Sequence, residues 1–162
     1  MTKETLRKLR KRYDLNVNSL SNRITFQKTI YILMKMKYPG MHSYKYSLYI
    51  YGPYSTSVAN DAYSLAKEID TSNASFSAEE SLILSKFDKM IQDISAKIKD
   101  LPKHTQLELL ADIIHFNCEP DSIKNKALLF EKLVEKHSYF NNKLAFNIAC
   151  DILIENKLIS LE

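Results

Sequence analysis

The sequence predicts a single domain over residues 1–162 that is mainly α with a small β element, an α+β fold. The chain has only two glycines and four prolines, whereas β-sandwiches and barrels use many of both in their turns. Its length fits one domain, and 45% hydrophobic with 26% charged residues is ordinary globular composition. Apolar residues recur at helical spacing along most of the chain. A winged-helix-like arrangement is the more specific expectation.

Two helices are predicted in the first 40 residues. Leu6, Leu9 and Tyr13 recur at steps of three and four, which indicates an apolar stripe on a helix from Thr2 to about Tyr13. A second helix is expected to begin at Asn22 or Thr25 and to continue to about Lys37. Pro39-Gly40 ends it, and its buried face comprises Ile24, Ile30, Tyr31, Leu33 and Met34.

One strand and a third helix follow. Tyr44, Tyr46, Leu48 and Ile50 alternate with Lys45, Ser47, Tyr49 and Tyr51, and this period of two predicts a half-buried strand. Gly52-Pro53 is expected to end the strand as a turn. Ser55 is the predicted N-cap of a helix to about Ile69. The polar segment Thr71–Phe76 is a connector or a second strand.

The second half of the chain is predicted to be helical. Ser77 and Glu80 stand three residues apart in a capping-box pattern that opens a helix to about Lys99. Prolines 102 and 120 separate the helices that follow. We expect these helices over residues 105–116, 122–136 and 141–156, and a short edge strand at residues 158–161.

Positive charge is concentrated at the start of the chain. Residues 1–50 contain eleven Lys or Arg and two acids, a net formal charge of +9, while the remainder carries 12 basic and 17 acidic residues, a net charge of −5. This asymmetry fits a solvated surface, a polyanion or an acidic protein partner. If the partner is DNA or RNA, the phosphate-binding residues are expected on the first helix: Arg7, Lys8, Arg10, Lys11 and Arg12.

Several chemistries are disfavoured by the sequence. With glycines only at positions 40 and 52, there is no glycine-rich phosphate loop of the P-loop or Rossmann kind. His115 and Cys118 could share a helical face, but zinc needs further ligands and none has suitable spacing, so Cys118 is expected to be a buried apolar residue. We therefore expect no cofactor, no metal and no enzyme activity. Two cysteines, no apolar signal core and no membrane-length apolar run favour a cytoplasmic protein.

Three segments carry a resemblance to a known family. They are Ile24-Thr25-Phe26-Gln27-Lys28, then Tyr51-Gly52-Pro53-Tyr54-Ser55 with the helix through Leu65, and Leu107-Glu108-Leu109-Leu110-Ala111. Residues 149–159 look like the closing helix and tail of the same family. With this pattern the chain resembles the YwgA-like proteins, which are similar to Panacea or SocA-like antitoxin domains. It departs from the family's usual turn at Ser21-Asn22-Arg23.

The resemblance implies a regulatory interaction domain of antitoxin type that masks a protein partner, a toxin being one candidate. The partner would dock on the second helix and the strand-turn segment. The residues expected to bind it are Arg23, Lys28, Tyr49, Tyr51 and Tyr54. The alternative is a nucleic-acid-binding regulator that uses the basic first helix. The sequence leaves the oligomeric state open.

Overall fold

The structure is a computed structural model, and it describes residues 2–69, 74–118 and 120–162. Within these residues the fold is mainly helical with one small sheet, as predicted. The helices are α1 (Thr2–Tyr13), α2 (Leu20–Lys35), α3 (Thr56–Ala66), α4 (Ala78–Lys97), α5 (Lys103–Asn117), α6 (Lys126–Lys136) and α7 (Lys143–Glu155). The strands are β1 (Ser47–Tyr49) and β2 (Gly52–Tyr54), and a 3-10 helix covers Ser138–Phe140. The winged-helix-like arrangement stays a prediction.

The contacts of the chain group into two compact units, residues 1–85 and 86–162. The first unit contains α1, α2, the two strands, α3 and the start of α4. The second contains the rest of α4 and the helices that follow. The single domain over residues 1–162 stays a prediction.

The helices of the first unit begin at short polar caps. The Ser19 hydroxyl accepts a hydrogen bond from the Asn22 amide at 3.1 Å, so α2 begins at Leu20 rather than at Asn22 or Thr25. The predicted cap at Ser55 is confirmed, since its hydroxyl accepts from the Val58 amide at 3.3 Å. The predicted cap at Ser77 is also confirmed, with its hydroxyl 3.1 Å from the Glu80 amide nitrogen.

The predicted single strand is in fact a hairpin. Strands β1 and β2 pair antiparallel in the register Ser47 to Tyr54, Leu48 to Pro53 and Tyr49 to Gly52. The chain therefore turns at Ile50-Tyr51, and the prediction that Gly52-Pro53 ends the strand was wrong. Proline is tolerated here because each strand of a two-stranded sheet is an edge strand. The predicted inward face is also only partly right, because Leu48 and Ile50 are exposed.

The second unit has a core of apolar residues from α5 and α7. Leu110, Ile113 and Ile114 of α5 are fully buried, as are Ala149 and Leu153 of α7. Helices α6 and α7 begin later than the predicted starts at residues 122 and 141, because their N-caps are Asn125 and Asn142.

The predicted edge strand at residues 158–161 is not present. The buried Asn117 amide holds this segment instead, donating to the Ser160 carbonyl at 2.8 Å and accepting from the Ser160 amide at 3.2 Å. The second strand considered at Thr71–Phe76 falls partly on residues 71–73, which lie outside the described residues. Residues 74–76 form no strand.

Candidate functional site

The first unit contains a pocket of about 420 Å³ between α2, the hairpin and α3. We call it the hairpin pocket. The residues predicted to bind a partner all line it: Arg23, Lys28, Tyr49, Tyr51 and Tyr54. The second helix supplies the two cations, and the hairpin supplies the three tyrosines. The remaining lining is largely apolar and includes Val17, Leu20, Ile24, Phe26, Val58 and Tyr63.

The back of the pocket is built by the Gln27-Lys28 pair. The Gln27 amide donates to the Ser55 carbonyl at 3.0 Å and accepts from the Ser55 amide at 3.0 Å. The Gln27 side chain thus satisfies both backbone groups of Ser55, the residue that follows β2 and caps α3. The Lys28 ammonium donates to the Pro53 carbonyl at 2.6 Å. Together these bonds attach the hairpin to α2.

The exposure of Lys28 is unusual for a lysine. A lysine beside a buried stripe is usually solvated, but only 2% of Lys28 is exposed. Its charge lies inside the unit and its hydrogen bond holds β2. Of the five predicted partner-binding residues, Lys28 thus stabilises the pocket wall through its bond to Pro53. Tyr49 and Tyr51, by contrast, are exposed at the surface.

The mouth of the pocket is an exposed apolar rim. Ile50 at the hairpin turn is 71% exposed and Tyr49 is 53% exposed, and Leu20 and Tyr63 are exposed beside them. The rings of Tyr49 and Tyr54 pack edge to face with centroids 5.0 Å apart. Sequence reasoning missed Leu20, Ile50 and Tyr63 as site residues. The sequence did contain a signal for them, because each is a large apolar residue where a polar one is usual. Leu20 starts α2, Ile50 lies in the hairpin turn and Tyr63 lies on the exposed face of α3.

The predicted nucleic-acid-binding residues on α1 lie in a different environment. Arg7 forms ion pairs with Glu4 and, at 2.9 Å, with Glu68. The hydrogen bond from Arg7 is the largest influence that lowers the pKa of Glu68. Lys8 pairs with Glu80 at 2.6 Å. Two of the five predicted cations are therefore paired with carboxylates of the same unit.

The other predicted α1 cations are Arg10, Lys11 and Arg12. Lys11 and Arg12 are exposed, and Arg10 is half-buried. The Arg12 guanidinium lies over the rings of Tyr13 and Phe76, 5.5 Å from each centroid. Such contacts stabilise a cation at the surface by about 0.5–1 kcal/mol and do not neutralise it.

The second unit contains a polar cluster that the sequence analysis did not identify. Asp112 is fully buried and both of its carboxylate oxygens accept from the Lys136 ammonium at 3.1 Å. One turn earlier on α5, buried Glu108 accepts from the Tyr139 hydroxyl at 2.7 Å and lies 3.4 Å from the His137 ring nitrogen. The sequence did contain a signal for this cluster, because Glu108 and Asp112 lie four residues apart within the apolar run of residues 107–114.

The two cysteines differ in burial. Burial raises the pKa of the Cys150 thiol to about 12, so it stays protonated at neutral pH. Cys118 is half-buried, which differs from the expectation of full burial. Among residues 2–69, 74–118 and 120–162, no group of three or more His, Cys, Asp or Glu is close enough to hold a metal ion.

No protein family, curated protein or solved structure shows a significant match to this chain. The resemblance to YwgA-like proteins therefore stays a prediction. In the part of the chain that the structure describes, no helix combines the length and apolar character needed to cross a membrane.

Proposed function

We propose that this protein is a non-enzymatic, cytoplasmic regulatory domain that binds a partner protein at the hairpin pocket and masks it sterically. The observation that supports this most directly is the exposed rim of Leu20, Tyr49, Ile50 and Tyr63 around a preformed apolar pocket. Contiguous exposed apolar surface is uncommon on monomeric proteins and marks interaction sites. Tyrosine and arginine are also the residues enriched at the energetic centres of protein interfaces.

The pocket lining favours binding over catalysis. Its described residues are apolar side chains, tyrosines, one glutamine and two cations, with no Asp, Glu, His or Cys among them. General acid–base or nucleophilic chemistry at neutral pH usually relies on those residue types. The tyrosines instead offer rigid apolar area with a polar tip, which suits a protein contact. An antitoxin-like use, in which the masked partner is a toxin, is the narrower form of the proposal.

The test is affinity capture from native lysate, with and without nuclease, followed by affinity measurement with the captured protein. We expect a nuclease-insensitive protein partner. Tyr51→Ala should weaken its binding by about 2 kcal/mol or more, the scale of an aromatic hot spot. Leu144→Ala is the control, because Leu144 is an apolar residue of the second unit that is even more exposed than Tyr51. Recovery of only nuclease-sensitive material, or equal binding by Tyr51→Ala, would contradict the proposal.

Nucleic-acid binding through α1 is the second candidate. It is favoured by the exposure of Lys11 and Arg12 and by a net formal charge of +5 over residues 1–85, with twelve basic and seven acidic residues. The ion pairs of Arg7 and Lys8 count against it, because forming phosphate contacts would require breaking them. We therefore rank it below protein masking.

A further inference from the structure

The charge around the hairpin pocket is of one sign. Arg23 and Lys28 line it, and no carboxylate does among its described lining residues. The Arg23 guanidinium donates one bond, from Nη1 to the Val17 carbonyl at 3.2 Å. Arginine carries five N–H donors, so this bond leaves most of them for a second partner. Across the described residues, no carboxylate lies within ion-pair distance of Arg23.

The size of the apolar surface indicates what kind of molecule could bind there. A pocket of about 420 Å³ lies within the range of about 300–1,000 Å³ usual for ligand sites. Three of its lining residues, however, form a rim at the mouth and are largely exposed: Leu20, Ile50 and Tyr63. A small molecule inside the pocket would leave that rim in water. A polypeptide segment could fill the pocket with one side chain and cover the rim with its neighbours.

We propose that the hairpin pocket binds an acidic, apolar segment of a partner protein, with a large apolar side chain in the pocket and an adjacent carboxylate paired with Arg23. This inference rests on the proposed function and adds the chemistry of the partner. Arg23 suits the pairing because a planar guanidinium binds a carboxylate through two parallel hydrogen bonds. The buried charge of Lys28 behind Pro53 adds positive potential to the same wall.

A single-stranded nucleic acid is the other anionic occupant that tyrosines could stack against. Such binding needs a row of cations that follows the phosphate backbone. Here the pocket offers one cation near the surface, because Lys28 is buried and hydrogen-bonded to the hairpin. The predominance of aliphatic and tyrosine surface over positive charge therefore favours the acidic peptide.

The experiment is selection of a displayed library of random twelve-residue peptides on the intact protein, followed by measurement of the dissociation constants of the enriched peptides. We expect peptides that combine Asp or Glu with Leu, Phe or Trp. Arg23→Gln should weaken them about tenfold, the loss of one well-formed charged pair. Arg23→Lys should weaken them less, because it keeps the charge. Lys11→Gln, which removes an exposed charge from α1, is the matched control and should leave binding unchanged.

Each result separates the inference from the function on which it rests. Binding by acidic, apolar peptides that depends on Tyr51 and Arg23 supports both. Enriched peptides that need Tyr51 but carry no acid, or that ignore Arg23→Gln, overturn the acidic segment and leave the pocket as a docking site. No enrichment, or peptides insensitive to Tyr51→Ala, overturns both.

Two further measurements keep the test decisive. If Arg23→Gln fails to fold in a thermal melt, salt dependence on the unaltered protein replaces it. Affinity for the acidic peptides should then fall as salt rises, and a constant affinity would overturn the charged pair. An oligothymidylate of the same length is the nucleic-acid probe. If it binds more tightly than the best peptide and displaces it, the proposed occupant is wrong.

Discussion

At the scale of single residues, the hairpin pocket depends on one buried amide. Gln27 satisfies both the N–H and the C=O of Ser55, each at 3.0 Å, and all of these groups are buried. Backbone groups in such a place are costly to leave unpaired, at about 1–3 kcal/mol each. The position therefore requires a side chain with both a donor and an acceptor, which explains why a glutamine is buried there.

Replacing this amide should destabilise the protein strongly. Gln27→Ala removes both hydrogen bonds, and we expect a loss of about 2–4 kcal/mol in the free energy of unfolding, measured by denaturant titration. Gln27→Glu should also destabilise, because its carboxylate would face the Ser55 carbonyl. Gln92→Ala, at an exposed position of α4, is the matched control and should change stability by less than about 0.5 kcal/mol. Equal stability of both alanine variants would contradict this account.

Gly52 is the second residue on which the hairpin depends. Its φ of +95° is in the region that glycine adopts readily and that a β-carbon strains, and the residue is buried at the start of β2. Gly52→Val should cost about 1–3 kcal/mol in unfolding free energy. The control is Ser57→Val, which introduces the same side chain at an exposed position of regular helix. A melt of Gly52→Val indistinguishable from that of the control would show that the turn does not need glycine.

At the scale of elements, α1, α2 and α4 meet through Glu80. Its carboxylate accepts hydrogen bonds from Lys8 of α1 at 2.6 Å and from Tyr38, just after α2, at 2.8 Å. Partial burial works to raise the pKa of Glu80, but the bonds from Lys8 and Tyr38 outweigh it, and the pKa lies below its ordinary value. The ionised carboxylate is therefore favoured in the folded state.

This linkage predicts a loss of stability in acid. A carboxyl whose pKa is depressed by folding stabilises the protein fully above its unfolded pKa of about 4.3, and the contribution disappears as pH falls through the folded value. Glu80→Gln should lower the Tm at pH 7 by about 2–4 °C, and the difference from wild type should shrink below about pH 4. Glu79→Gln removes the same charge at an exposed neighbour and is the control. A difference in Tm that does not change with pH would contradict the linkage.

In the second unit, α5 and α6 are joined by the buried pair of Asp112 and Lys136. Removing one partner of such a pair leaves a charge in a poorly solvated place, at a cost of about 3–5 kcal/mol. We expect Lys136→Met to destabilise the protein by that amount. The double change Asp112→Leu with Lys136→Met should recover most of the loss, because neither charge remains. Denaturant titration of a double-mutant cycle measures both, and additive losses would show that the pair is not coupled.

The elements also show how far the sequence predicts the fold. Helices are local structures, so their existence followed from apolar spacing, and the caps at Ser55 and Ser77 were visible as residue patterns. The hairpin was mispredicted because its second strand contains Pro53, and the carbonyl of that proline is satisfied by a side chain from α2. That contact joins residues 25 positions apart, so no local sequence pattern predicts it.

The burial and pairing of the candidate site residues could not be predicted from the sequence. The three tyrosines, Arg23 and Lys28 lie around one pocket, and their role in binding a partner stays a prediction. What the sequence could not show is that Lys28 is buried, or that Arg7 and Lys8 pair with Glu68 and Glu80. Long-range ion pairs depend on how helices pack, and the net charge of a segment is the same with and without them. The charge pattern therefore overstated the positive surface of α1.

At the scale of the whole molecule, those ion pairs determine how the chain should respond to polyanions. Counterion release makes the logarithm of DNA affinity fall with that of the salt concentration, with a slope of about −0.9 for each phosphate neutralised. Engagement of Arg7, Lys8, Arg10, Lys11 and Arg12 together would give a slope of about −4.5. If the pairs of Arg7 with Glu68 and of Lys8 with Glu80 persist, as their 2.9 and 2.6 Å separations favour, the slope should be no steeper than about −3.

Fluorescence anisotropy with a short DNA duplex, between about 50 and 200 mM salt, measures this slope directly. We expect weak binding with the shallow slope, and a steeper slope for the double variant Glu68→Gln with Glu80→Gln, since that change releases Lys8 from Glu80 and leaves Arg7 paired with Glu4 alone. Glu79→Gln with Glu80→Gln removes equal charge but frees only Lys8, so its slope should lie between the two. A wild-type slope near −4.5 would mean that phosphates displace the internal carboxylates. Nucleic-acid binding through α1 would then rank above masking of a protein partner.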